Sequence, residues 1–227
     1  MGKRLIIAID GPAGSGKSTV SRILAEKISY MYLDTGLLYR AVAYKAMQGK
    51  ISLNDDDALR KLCEGIVIRP ETGSINMRVL IDGEDVSDKV RTEEIGMLAS
   101  SVSANPAVRD ALLFTQRSAG MDGGIVAEGR DMGTVVFPGA DVKFFLVADV
   151  DERAKRRYLQ LKNNGVPADP VEIRKGLVAR DSQDMQREIA PLKPADDSVV
   201  IDSTEIDAGQ VVDRMINILE KRTKADN

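Results

Sequence analysis

The chain has 227 residues, 43% of them hydrophobic, and a formal net charge of −3, which fits an α/β domain with a real core and gives no sign of a nucleic-acid-binding surface. It holds no histidine and one cysteine, so imidazole catalysis, His-ligated metal sites and an internal disulfide are excluded. Met1-Gly2-Lys3-Arg4 precedes only five apolar residues before Asp10, too few for a signal-peptide core, and no apolar run approaches membrane-spanning length, so a cytoplasmic protein is expected.

Short apolar runs alternate with amphipathic stretches, which predicts βα units around a five-stranded parallel sheet. The first strand spans residues 5–9. Gly11-Pro12-Ala13-Gly14-Ser15-Gly16-Lys17-Ser18 follows and matches G-x-x-x-x-G-K-[ST], and a helix with Val20, Ile23, Leu24 and Ile28 on one face comes next. Strand before and helix after is the context that the P-loop pattern requires. Its glycines let successive N–H groups turn inward onto an anion, and the helix adds its positive end. Lys17 can reach the β/γ-phosphates and the Ser18 hydroxyl can ligate Mg²⁺, so a nucleoside triphosphate is the expected ligand.

A second strand at 31–33 leads into Asp34-Thr35-Gly36, Tyr39-Arg40 and a helix over 37–47. Asp55-Asp56-Asp57 reads as a helix N-terminus. Between Ile66 and Asp88 the rhythm changes: Ile66, Ile68, Ile75, Met77, Val79 and Ile81 alternate, with turns at Thr72-Gly73 and Asp82-Gly83. This predicts a small antiparallel insert, which fits either a moving part over a second substrate or an inert decoration. Helices follow with Ile95, Leu98 and Val102, then, past a break at Asn105-Pro106, with Val108, Ala111 and Leu112.

The third core strand, 125–127, ends in Glu128-Gly129-Arg130-Asp131-Met132-Gly133, and the fourth spans 142–147. Beyond it, Arg153, Arg156 and Arg157 share one helical face, and Arg180, Asp184 and Arg187 line up the same way. The joint between these helices, Asn163-Asn164-Gly165 and Pro167-Ala168-Asp169-Pro170, suits a mobile hairpin, although salt-bridged surface helices share the same pattern. The last strand is 199–201 and a helix covers 211–219.

Ligands of open α/β sheets bind at the carboxyl ends of the strands, which brings Arg40 and Arg130 to the crevice beside the P-loop. Such arginines suit a kinase whose acceptor is itself a phosphate. Each pair of like unit charges at 4 Å costs about 4 kcal/mol at an effective dielectric near 20. Guanidinium forks offset that repulsion bidentately, and an ionised acceptor needs no general base. Another small-molecule P-loop kinase and a nucleotide-dependent switch remain open, while the absence of Asn-Lys-x-Asp disfavours a GTPase.

The P-loop, Asp34-Thr35-Gly36 with Tyr39-Arg40, the run Gly129-Arg130-Asp131-Met132-Gly133-Thr134-Val135-Val136-Phe137-Pro138, residues 180–187 and Asp202-Ser203-Thr204 together resemble the bacterial cytidylate kinases, nucleoside monophosphate kinases of the P-loop class. The resemblance covers essentially the whole chain. It implies ATP-dependent phosphorylation of CMP and dCMP with Mg²⁺ as cofactor, and a single kinase domain of core 1–62, 120–150 and 189–227, acceptor-binding insert 63–119 and lid 151–188. It implies that Gly11, Pro12, Ala13, Gly14, Ser15, Gly16, Lys17, Ser18 and Thr19 hold ATP, with Ser18 on the metal. Arg40, Arg130 and Arg187 match the grip on the acceptor phosphate; Ser100 and Asp131 match acceptors for the cytosine amino group; Arg109 matches a donor to the ring. Arg180 and Asp184 match positions at the pentose, Thr35 stands near the substrate, and one of Arg153, Arg156 and Arg157 reaches the ATP phosphates. Lys17, Arg130, Asp131 and Arg187 form the implied catalytic set. The implied partners are nucleotides, with no nucleic acid and no membrane, and the expected state is a monomer. Leu37-Leu38 departs from the family, which more often has a small residue at the first of these positions.

Overall fold

The computed structural model describes residues 4–72 and 77–225. In chain order the first elements are β1 (Ile6–Asp10), α1 (Lys17–Lys27), β2 (Met31–Asp34), α2 (Thr35–Gln48) and α3 (Asp56–Gly65). Then come β3 (Ile68–Thr72), β4 (Met77–Ile81), β5 (Glu84–Asp85), a 3₁₀ turn (Lys89–Arg91), α4 (Glu93–Val102) and α5 (Pro106–Ala119). The chain closes with β6 (Ile125–Gly129), a π-helical turn (Met132–Val136), β7 (Val142–Val147), α6 (Val150–Asn163), α7 (Pro170–Gln186), β8 (Val199–Asp202) and α8 (Ala208–Ala225).

The main sheet is parallel throughout, in the order β2-β6-β1-β7-β8. Each of the five anticipated strands lies within it, displaced by no more than two residues at either end. Ile7, Ala8 and Ile9 of β1 and Ile125, Val126 and Ala127 of β6 are wholly buried, as continuous apolar strands covered by helices on both faces must be. Register pairs Asp10 with Gly129 and Asp34 with Glu128, so the ends of β1, β6 and β2 form one row at the crevice.

The insert folds as the antiparallel sheet β3-β4-β5. Met77, Val79 and Ile81 of β4 point into the core, and the expected turn at Asp82-Gly83 has both residues at positive φ, 52° and 86°. Gly73 and Ile75, which carry the other expected turn and one expected strand position, lie outside the described residues. Asp55 caps α3 by accepting from the Ala58 N–H at 2.9 Å, as the acidic run predicted. One expectation is corrected. The helix α7 ends at Gln186, and Arg187 is extended (φ −62°, ψ 140°), so it does not share a helical face with Arg180 and Asp184. Its backbone turns away, and the side chain arrives at the crevice from beyond the helix end.

Gly11 joins β1 to the P-loop at φ 148°, where a Cβ would lie 2.0 Å from the Leu146 carbonyl oxygen on β7. Gly11→Ala is expected to cost about 3 kcal/mol from strain and overpacking together, read as a lower midpoint in urea unfolding.

Candidate active site

The P-loop wraps a space bounded by its own backbone. Gly14 (φ 75°) and Gly16 (φ 90°) supply left-handed bends, Gly16 standing just before α1. Lys17 is buried and folds back so that Nζ donates to the Pro12 carbonyl at 2.7 Å. Burial, and then the charge of Arg130, push its pKa down. An ammonium in that position gains most from an arriving polyphosphate, which would replace neutral partners, the Pro12 carbonyl and the Ser15 hydroxyl, with full negative charge.

Ser203, in the Asp202-Ser203-Thr204 run after β8, braces the loop by donating toward the Ser15 and Val147 carbonyls at 3.2 and 3.0 Å. Beside it a cleft of about 500 Å³ is lined by Gly16, Thr19, Arg156, Thr204 and Val211 among others. Its position flanking the P-loop suits the base of a nucleoside triphosphate.

Ser18 stands beside the Glu128 and Tyr32 side chains, and the Tyr32 hydroxyl donates to the Glu128 carboxylate. Burial pushes the Glu128 pKa up, and the nearby Asp34 charge adds to this, while Lys17 opposes it. A hydroxyl and a buried carboxylate side by side at the phosphate end of the loop are the donor set that a P-loop uses for Mg²⁺. Among the described residues no three acidic or cysteine side chains gather as a cage. A cation there would therefore take most of its oxygens from phosphate and water.

On the acceptor side the arginines are oriented largely by backbone carbonyls. Arg40 on α2 donates from Nη1 to the Val90 and Thr92 carbonyls, both at 2.9 Å. Gly96 makes room for it, since a Cβ there would meet Arg40 Nη2 at 2.6 Å. Arg187 donates from Nε to the Ala190 carbonyl at 2.6 Å, and Arg109 from Nη1 to the Ser103 carbonyl at 3.0 Å. Arg130 donates from Nη1 to the Gly129 carbonyl at 3.3 Å and from Nε to Asp184 Oδ2 at 2.8 Å. Burial works to raise the Asp184 pKa, yet Arg130 beside it holds the carboxyl below the usual range.

Asp131 is buried against two guanidiniums. Arg109 bonds its Oδ2, and Arg187 Nη2 stands 3.7 Å from its Oδ1. The Arg109 guanidinium also lies over the Tyr39 ring, 5.7 Å from its centroid. Ser100 Oγ stands 3.3 Å from Gln183 Oε1 and 3.4 Å from Asp184 Oδ1, and Thr35 donates to the Glu128 carbonyl at 2.7 Å. Arg180 is half-buried, with no hydrogen-bond partner for its buried Nε, and desolvation together with the Arg130 charge pushes its pKa down to about 10. Lys17, Arg40, Arg130, Arg180, Asp184 and Asp131 thus lie within electrostatic reach of one another around the crevice.

The three arginines of α6 part ways. Arg153 lies beneath the P-loop, bonded to the Ala13 carbonyl at 2.9 Å and paired with Asp181 on α7 at 2.7 Å. Arg156 lines the cleft and donates to the Ser203 carbonyl at 2.5 Å. Arg157 reaches across to Glu93 at the start of α4. Shared helical face alone did not foretell these separate partners. Residues that the motifs left unassigned are Asp10, Tyr32, Tyr39, Glu128 and Ser203. Glu128 carried a readable signal, an acidic residue closing an apolar strand ahead of a glycine.

The cytidylate kinase family model matches residues 7–221. A cytidylate kinase from Citrifermentans bemidjiense is 49% identical over 96% of this chain and 94% of its own length. One from Geobacter sulfurreducens is 47% identical over 97% and 95%, and one from Pseudomonas aeruginosa 46% over 96% and 96%.

Arg180 is a half-buried charge whose Nε has no partner in the ligand-free fold. Arg180→Met is expected to raise unfolding free energy by about 1 kcal/mol. Inorganic phosphate should stabilise the variant less than the wild-type protein in parallel thermal melts.

Proposed function

The chain belongs to the cytidylate kinase family, and from that premise we propose how its own residues carry the family's reaction, the ATP-dependent phosphorylation of CMP and dCMP. The observation that carries the assignment is the convergence of Arg40, Arg130, Arg180 and Arg187 on a crevice facing Lys17, with cationic nitrogens unpaired or mutually repelled. Such a set is costly in the resting protein and useful only when two polyanions meet there.

ATP binds with its phosphates in the loop of residues 11–19 and its base in the cleft beside Thr19 and Val211. Lys17 leaves the Pro12 carbonyl for the β/γ-phosphates, and Arg156, next to Gly16, is the lid arginine placed to join it. Arg153 holds the lid to the loop from below. Mg²⁺, held through Ser18 with Glu128 behind it, supplies neutralisation of the β- and γ-oxygens when bound. Arg40, Arg130 and Arg187 hold the acceptor phosphate, and Arg180 and Asp184 the pentose. An oxygen of that phosphate attacks the γ-phosphorus in line while the bond to the β–γ bridging oxygen breaks and its electrons leave with ADP. Lid closure by α6 and α7 keeps water from taking the acceptor's place.

Asp131, Ser100 and Arg109 read the base. Cytosine offers an amino donor to the carboxylate and a ring acceptor to the guanidinium. Uracil presents an oxygen to Asp131 instead, an unmatched buried pair that costs on the order of 1–3 kcal/mol. The working division is core 1–62, 120–150 and 189–227, insert 63–119 and lid 151–188, in a cytoplasmic monomer that acts on nucleotides alone. Among the described residues no helix is long and apolar enough to cross a membrane.

ADP formation from Mg·ATP should be fast with CMP and dCMP, weak with UMP and absent with shikimate. In Asp131→Ala the preference for CMP over UMP should shrink roughly tenfold or more. Excess EDTA should abolish turnover, and Mg²⁺ should restore it. A full rate in EDTA would remove the role given to Ser18 and Glu128.

A further inference from the structure

The carboxylate that fixes the acceptor-gripping loop lies on a different strand, one residue ahead of the P-loop. Asp10, buried at the end of β1, accepts the Met132 N–H at Oδ1 and the Gly133 N–H at Oδ2, both at 2.8 Å. These two donors open the π-helical turn Met132–Val136, and first-turn N–H groups have no partner within their own helix. An aspartate immediately before a helix ordinarily turns back to accept them. Asp131 occupies that position, and its side chain makes no such bond. Its carboxylate faces Arg109 and Arg187 in the crevice instead.

We propose that Asp10 is a positioning residue for base selection, capping the turn in place of Asp131 and so keeping the Asp131 carboxylate turned toward the acceptor's base. The physical case is a competition for one carboxylate. Two adjacent buried donors must be satisfied, and a carboxylate is a strong acceptor for backbone N–H groups. Remove Asp10, and the nearest carboxylate in the sequence-local geometry of a cap is Asp131. The turn has little freedom to move away and relieve the loss. The aliphatic part of Lys143 closes over Gly133, where a Cβ would meet Cδ at 3.1 Å, and the Lys143 ammonium is fixed to the Pro138 carbonyl at 2.6 Å and to Asp197 at 2.9 Å. The register that sets Asp10 beside Gly129 brings the clamp within reach of the loop. One side chain therefore references the acceptor grip to the strand that carries the ATP loop.

This inference rests on the assignment of Asp131 to the base, so the test separates the two. The ratio of kcat/KM for CMP to that for UMP is measured in wild type, Asp10→Asn, Asp131→Asn and the double variant. Asparagine keeps the shape and one acceptor oxygen but presents a donor to the second N–H. Asp131→Asn should lower the ratio about tenfold, Asp10→Asn should lower it at least about fivefold, and the double variant should match Asp131→Asn alone. Lost stability by itself would scale both substrates equally and leave the ratio at the wild-type value. An unchanged ratio in Asp131→Asn overturns the base assignment and this inference with it. A lowered ratio in Asp131→Asn beside an unchanged one in Asp10→Asn, or full additivity in the double variant, overturns the inference alone. Should Asp10→Asn not fold, Asp10→Glu takes its place, retaining charge while displacing the oxygens by one methylene. The same loss of ratio supports the clamp, and a wild-type ratio overturns it.

Discussion

Repulsion between positive charges governs the crevice, because the groups that must quench a triphosphate and a second phosphate have to coexist before either arrives. Arg180 and Lys17 both have their pKa values lowered, by burial first and by the Arg130 charge next. The fold's answer is to hold guanidiniums with backbone carbonyls more than with carboxylates. Arg40, Arg109, Arg187, Arg153 and Arg156 each donate to at least one main-chain oxygen. A carbonyl dipole orients a guanidinium but leaves its unit charge intact for a ligand. Carboxylates supplement these carbonyls, Asp184 on Arg130, Asp131 on Arg109 and Asp181 on Arg153.

The sheet order makes this concentration of charge possible. The chain runs from β1 to the outer β2 and returns to fill the gap with β6, so the P-loop and the loop after β6 leave adjacent strands at the same end. Tight packing then dictates composition. A Cβ on Gly129 would meet Thr35 Oγ1 and the Met132 methyl carbon at 2.7 Å, so the chain can pass between α2 and the π-helical turn only as glycine. The acceptor side is assembled differently. The α4 helix and the antiparallel insert pack on α2, and Arg40 takes its orientation from the segment that joins them.

Much of this was legible in the sequence because it is local. A strand, a glycine-rich turn and a helix within residues 5–28 announce the P-loop without help from the rest of the chain. The alternation at Met77, Val79 and Ile81 announced the insert in the same way. What escaped is non-local or depends on where a helix stops. Asp10 meets Met132 across 122 residues, and nothing in its neighbourhood distinguishes it from an ordinary strand terminator. The end of α7 at Gln186 follows no glycine or proline, so spacing carried the helix one residue too far and put Arg187 on the wrong face. Arg153, Arg156 and Arg157 look equivalent on a helical wheel, and only the tertiary neighbours Asp181, Ser203 and Glu93 tell them apart.

The bridge from Arg157 to Glu93 joins the hairpin of α6 and α7 to the start of α4. The Glu93 side chain is 63% exposed, and exposed pairs of this kind contribute only about 0.2–1 kcal/mol. Screening over roughly 8 Å at physiological ionic strength weakens such a pair further. This bridge is therefore a contact of about thermal energy, one that dissolved salt alone can loosen. Beneath it Ser100 on α4 still meets Gln183 and Asp184 of α7 at 3.3 and 3.4 Å, so salt that frees the bridge leaves the two helices joined.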